Sequence, residues 1–143
     1  MEDRFRFRAW DKSFNKYCEN VIVSTINEEI TVYGRLVNGR TQLIPNSHLI
    51  LEQCTGVKDR NDKLIYEGDI IELCRGKSNI HQNKGKRFQV KFLTNRFCGF
   101  GFGYEDCPSV DMALTESKSK ICKVIGNIHE NPELLGEQNN GKN

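Results

Sequence analysis

Apolar and polar positions alternate with period two at several points along the chain. Arg4-Phe5-Arg6-Phe7-Arg8-Ala9-Trp10 alternates strictly. This predicts a half-buried strand with Phe5, Phe7 and Ala9 inward and the three arginines outward, where they discourage edge-to-edge pairing. Asp11-Lys12-Ser13 reads as a turn. Ile30-Thr31-Val32-Tyr33 is a β-branched strand, Asn38-Gly39 suits a tight hairpin turn, and residues 42–44 form the returning strand, stopped by Pro45. Residues 49–54 make another strand.

Residues 58–63 are polar and rich in turn formers, with Asp59, Asn61 and Asp62 able to bond their own backbone. Leu64-Ile65-Tyr66 resumes a strand. Glu67-Gly68-Asp69 interrupts it as a bulge or sharp bend, and residues 70–74 continue it. Residues 76–85 are a polar loop. Residues 87–92 alternate again, with Phe88, Val90 and Phe92 inward. Gly99-Phe100-Gly101-Phe102-Gly103-Tyr104 places three aromatics on one face of a strand and three glycines on the other. The aromatics fill core, and the glycine face admits close approach of another backbone. Residues 121–128 form the last strand. Asn131 is placed to cap a short terminal helix with Pro132 at its first position. Residues 109–115 offer a second helical turn, and a disordered tail runs from Gly136 to Asn143. The class is mainly β, in one domain over residues 1–135.

Composition bounds this picture more than it changes it. A chain of 143 residues buries roughly 65–70% of its unfolded surface, enough for a core without metal or disulfide staples. No apolar run approaches the ~18 residues of a membrane span, and the alternating N-terminus lacks the apolar block of a signal peptide. A cytoplasmic setting follows as the expectation. The six cysteines never fall in C-x-x-C spacing, and several sit inside apolar runs, so core thiols are expected before bridges or metal ligands.

Charge does change the picture. Residues 1–72 carry 10 Lys/Arg against 12 Asp/Glu, and residues 105–143 carry 4 against 7, whereas residues 73–104 carry 7 and no acid. Arg75, Lys77, Lys84, Lys86, Arg87, Lys91 and Arg96 therefore form the candidate contact set for nucleic acid, because phosphate binding needs cations without competing acids. Phe97 nearby is a candidate for base stacking. Solvated loop charge is the plainer reading of the same residues.

Other candidate chemistry is thinner. Glu67 and Asp69 share a strand face, as an acid–base pair would, but Gly68 between them suggests a bend with solvent-facing acids. Cys122 and His129 are the pair that a thiol nucleophile would need, with nothing local to support it. Residues 76–85 lack the ending of a phosphate-binding loop. Cys98-Gly99-Phe100-Gly101-Phe102 imitates the aromatic strand of an RNA-recognition module, but lacks its leading basic residue and its two helices. No catalytic set, cofactor motif or metal site is expected.

Three segments in register resemble the YopX family. They are Phe7-Arg8-Ala9-Trp10-Asp11, then Thr55-Gly56 with Ile65-Tyr66-Glu67-Gly68-Asp69-Ile70, then Val124 to Leu135, V-I-G-N-I-H-E-N-P-E-L-L. The chain departs from the family pattern at Asn61-Asp62, where Asn-Gly is usual, and at His129, where tyrosine is frequent. The resemblance implies a β-rich fold with a small, SH3-like barrel. It also implies a phage- or prophage-encoded accessory protein of the bacterial cytoplasm, in a family of unknown function. The resulting expectation is a non-enzymatic, self-associating module with a protein partner. The alternative is a nucleic-acid-binding accessory protein using residues 75–96.

Overall fold

The first alternating run does not begin as a strand. In the computed structural model, Glu2–Phe5 form a 3-10 turn and β1 covers Phe7–Asp11. Phe5 is consequently 65% exposed instead of facing a core. Ala9, Trp10 and Asp11 are all buried in succession on a strand that lies between two partner strands. The structure describes residues 2–18, 21–26, 29–35, 41–43, 46–74, 85–94, 97–104 and 107–140. It divides into a smaller unit, Phe5–Gln53, and a larger one, Met1–Arg4 with Cys54–Asn143.

In the smaller unit β1 pairs with β2 (Lys16–Tyr17) and with the first half of β6 (Leu49–Lys58), both antiparallel. Trp10 lies opposite Tyr17 and opposite Ile50. A second sheet has the order β3 (Val21–Ile26), β4 (Glu29–Arg35), β5 (Thr41–Leu43). The pairing of Arg35 with Thr41 brackets the expected Asn38-Gly39 turn, which lies outside the described residues.

In the larger unit, the second half of β6 pairs with β7 (Leu64–Tyr66). β8 (Asp69–Leu73) lies between β13 (Cys122–Asn127) and β9 (Arg87–Gln89). β11 (Gly99–Tyr104) lies between β10 (Lys91–Leu93) and β12 (Cys107–Ala113). Ile65, Ile71, Leu73, Phe88, Val90, Phe102, Leu114 and Cys122 form its core. Burial of each large apolar side chain contributes about 1.5–3 kcal/mol.

Three sequence expectations change here. Residues 87–92 are two strands, because Val90 N–H donates to Asp69 O and Gly68 N–H donates to Val90 O. There the chain leaves β8 and joins β11, so Phe92 emerges 47% exposed. Residues 109–115 are mostly strand, and the helical turn is α1 (Glu116–Ser119), whose N-cap Thr115 accepts from Lys118 N–H. The terminal helix α2 (Glu133–Asn140) passes through Gly136, where a disordered tail was expected. Gly136 is exposed with open space around it, and Glu137 and Gln138 are good helix formers.

Candidate functional site

Of the two acids that looked available for chemistry, Asp69 holds the backbone together. Asp69 is buried rather than solvent-facing, and its carboxylate accepts from Tyr66 N–H at 2.8 Å. Gly68 between it and Glu67 sits at φ 85°, a left-handed angle that disfavours other residues. Its N–H donates to Val90 O and its carbonyl accepts from Ile128 N–H at 3.0 Å. Asp59, also buried, accepts from Asn61 N–H at 2.8 Å, Lys63 N–H at 3.0 Å and Val124 N–H at 2.9 Å. Asp62 takes φ 62°, so the turn survives with aspartate where the sequence comparison leads one to expect glycine.

The other motif residues are placed the same way. Thr55 Oγ1 donates to Ile65 O at 2.8 Å, and Gly56 takes φ 85° at a bulge between Cys54 and Lys58. Asn127 Oδ1 accepts from His129 N–H and Glu130 N–H. Asn131 does not cap α2 through its side chain. Its Oδ1 accepts from Asn127 N–H at 3.3 Å, and the side chain occupies the space where a Cβ on Gly126 would sit.

Of the basic set, Arg75, Lys77, Lys84 and Arg96 lie outside the described residues. Lys86, Arg87 and Lys91 are half-buried. Arg87, Glu72 and Lys123 are neighbours across β9, β8 and β13. Arg87 Nε donates to Glu72 Oε2 at 3.3 Å and its Nη1 donates to Leu134 O at 3.4 Å, while Lys123 Nζ is 3.7 Å from Glu72 Oε1. Arg87 therefore braces the first turn of α2 and is committed to a structural pair.

Phe97, expected as a stacking ring, lies over the glycine face of β11. A Cβ on Gly101 would meet its ring at 3.0 Å, Leu93 Cδ1 at 2.7 Å and Met112 O at 2.5 Å. The close approach predicted for the glycine face is thus realised at Gly101. Phe92, on the neighbouring strand, is exposed instead. It lies opposite Phe100 in register, with centroids 5.3 Å apart and planes at 84°.

Cys122 opens β13 and His129 lies in the turn beyond its far end, and the five residue steps from Cys122 to Asn127 span about 16 Å, so the two do not form the proton-sharing pair that a thiol nucleophile needs. Cys122 Sγ donates to Lys118 O at 3.1 Å, and burial pushes the thiol up to about 12. Cys54 is buried as well, Cys18 and Cys74 are partly so, and Cys98 is exposed. Among the described residues no group of three His, Cys, Asp or Glu side chains is arranged to hold a metal ion, and no helix is long and apolar enough to cross a membrane.

One cluster in the smaller unit escaped sequence reasoning. Glu52 is 2% exposed and its Oε2 accepts from Arg8 Nε at 2.6 Å and from Tyr17 O–H at 3.0 Å. The Arg8 guanidinium lies 4.6 Å from the Tyr17 ring centroid, and Trp10 meets that ring edge-on at 5.0 Å. Arg8 and Glu52 are 44 residues apart, and only their register across β1 and β6 brings them together. An arginine on the alternating face was the available signal, but its partner had none.

These structural roles fall on the motif residues themselves, and a family model described as YopX protein matches residues 6–136. The chain belongs to the YopX family. Among solved structures it is similar to protein EF1440 from Enterococcus faecalis, at 27% identity and a TM-score of 0.60, covering 91% of this chain and 96% of that one. It is also similar to protein yopX from Bacillus subtilis, at 19% identity and a TM-score of 0.58, covering 92% and 96%. No curated protein sequence is close enough to count as a match. The fold shared with these two structures is mainly β, with a curled half-barrel sheet and short helices. The YopX family is one of unknown function.

Proposed function

We propose that this YopX-family protein is a non-enzymatic module that associates with further copies of itself through an exposed β edge in its smaller unit. The observation that carries this is β3. Among the described residues it stands at the edge of its sheet, and its sequence V-I-V-S-T-I contains no charge, proline or glycine. Ile22 on it is 55% exposed. Uncharged, β-branched edge strands are templates for strand addition, and proteins that avoid such pairing place lysine or proline there. Three more large apolar side chains of this unit, Phe5, Phe14 and Ile50, are also exposed.

The non-enzymatic part of the reading rests on occupation. Asp69, Asp59 and Glu52 accept hydrogen bonds that hold the fold, and the Cys122 thiol is far from a reactive thiolate. A phage or prophage accessory role in the bacterial cytoplasm, with a further protein partner, belongs to the same reading. So does a small SH3-like barrel in the larger unit, suggested by the strand entry through Gly68-Asp69-Ile70-Ile71.

Sedimentation velocity over a micromolar concentration series tests it. The expected result is a reversible increase in mass with concentration, abolished by Ile22→Lys without a change in the thermal unfolding curve. A wild-type chain that stays monomeric at high micromolar concentration would sink the proposal.

A further inference from the structure

The hydrogen-bonding phase of β3 follows from its hairpin with β4. The two strands pair in unbroken register from Val21 opposite Gly34 to Ile26 opposite Glu29. Only two residues of sequence separate Ile26 from Glu29, and so short a connection closes on a pair that exchanges backbone hydrogen bonds. Antiparallel pairs alternate from there. Ile22, Ser24 and Ile26 turn their backbone N–H and C=O groups toward β4, while Val21, Val23 and Thr25 turn theirs toward the outer edge. Among the described residues no strand takes up that edge. Val23 lies opposite buried Val32, and Ile22, on the other face, is 55% exposed.

We infer that the partner of this edge is β3 of a second copy, paired antiparallel about a two-fold axis at Val23. The inference rests on the self-association proposed above and adds the partner strand, its direction and its register. An edge that pairs with its own copy about a two-fold axis runs antiparallel and closes after one addition. Outward residues must meet outward residues, because only they have N–H and C=O groups to exchange. With the axis at Val23, Val23 meets the partner's Val23, while Val21 and Thr25 meet the partner's Thr25 and the partner's Val21. All three outward residues of both copies are then satisfied. Moving the axis to Ile22 or to Ser24 leaves one of the three without a partner inside the strand. Each further backbone hydrogen bond adds stability, so the Val23 axis is favoured. The pairing carries the β3-β4-β5 sheet across the axis and sets Ile22 opposite the partner's Ser24. Because β3 holds no charge, no like charges oppose each other there.

Disulfide trapping reads this register directly. Opposed residues that exchange no hydrogen bond have Cα atoms about 4.5 Å apart, within the range that a disulfide spans. With the axis at Val23, Ile22 and the partner's Ser24 are such a pair. Ile22 with its own copy, or Ser24 with its own copy, is a diagonal of about 7–8 Å. Full-length Ile22→Cys and Ser24→Cys chains, each also carrying Cys98→Ser to remove an exposed thiol, are mixed in a glutathione redox buffer. Bridges are mapped by mass spectrometry. The expected product is a mixed dimer bridged between positions 22 and 24, about tenfold or more over either self-bridged dimer. A self-bridge at 22 or at 24 as the main product moves the axis and overturns the inference. Association seen in sedimentation with none of these bridges overturns it too, and leaves self-association itself standing. A chain that never associates sinks the earlier proposal and this one together. Val23→Pro gives a second reading without a thiol. It removes an outward N–H but no bond to β4, so self-association should weaken about tenfold or more. Ser24→Pro removes a ladder bond and should melt at a lower temperature than Val23→Pro by circular dichroism. A Val23→Pro chain that associates like wild type, or the reverse order of melting, would overturn the inference.

Discussion

The carboxylate of Asp59 accepts a hydrogen bond from the backbone N–H of Val124, 65 residues further along the chain. This bond joins two family segments, the turn after Thr55-Gly56 and the strand that opens V-I-G-N. Gly68 O accepting from Ile128 N–H, and Cys122 O accepting from Arg60 N–H at 3.0 Å, stitch the same two segments. The residues that make the family recognisable are thus those that lock its strands together.

Asp59→Ala removes the acceptor of three backbone N–H groups at a site 1% exposed. Each donor left without a partner costs about 1–3 kcal/mol, so urea unfolding should show a loss of about 3–4 kcal/mol. Asp59→Asn keeps one acceptor oxygen and should lose less. A loss below about 1 kcal/mol for Asp59→Ala would show that the turn stands without its carboxylate.

Two neighbouring glycines should behave oppositely. Gly101→Ala drives a methyl against the Met112 carbonyl at 2.5 Å, and overpacking against backbone costs about 1–3 kcal/mol. Gly99→Ala meets only Phe97 Cδ2 at 3.8 Å, so it should be neutral or stabilising by up to about 1 kcal/mol. Thermal melts of the two variants make the comparison. Equal effects would mean that the glycine face is not where the close approach occurs.

The Glu52 cluster makes a third prediction. Glu52→Ala leaves the Arg8 guanidinium, 21% exposed, without its carboxylate, and should cost about 2–3 kcal/mol. Glu52→Gln preserves an acceptor for Tyr17 O–H and should cost less. A double-mutant cycle with Arg8→Ala isolates the pair, and a coupling energy near zero would assign the loss to packing alone.

Alkaline pH should weaken the fold through Cys122. Its thiol stands at 9.0 ordinarily and at about 12 in the folded chain, raised first by burial and then by Cys74 and Asp59. The raised folded value means that the protonated thiol contributes stability fully below pH 9, and that this contribution declines between 9 and about 12 as the unfolded chain ionises first. Unfolding measured across that window should show the decline in wild type and a flatter response in Cys122→Ala. In the native state an alkylating reagent should modify exposed Cys98 well before Cys122. Rapid alkylation of native Cys122 would contradict the burial argument.

Much of this was legible beforehand. The strands at Ile30, Leu49, Leu64, Ile70 and Ile121, the polar turn at Asp59 and the bend at Gly68 follow from alternation and turn chemistry, which act over a few residues. The exposed Phe92 was not legible, because residues 87–92 alternate without a break and only the hydrogen bonds of Val90 to the Gly68 corner divide them. Asp69 was misread as solvent-facing for the same reason, since its partner Tyr66 N–H and its covering strands are decided by the fold.

By itself, the sequence determined that this protein is mainly β, that it belongs with the YopX proteins, and that its cations gather in one acid-free stretch. These are properties of local periodicity, motif order and charge. Only the tertiary structure decided which acids are buried acceptors, that Arg8 and Arg87 are committed to carboxylates, and that Phe92 is left half in water. Those outcomes depend on strand register between residues as far apart as Arg8 and Glu52 or Asp59 and Val124. A shift of one residue in a strand turns every side chain to the other face.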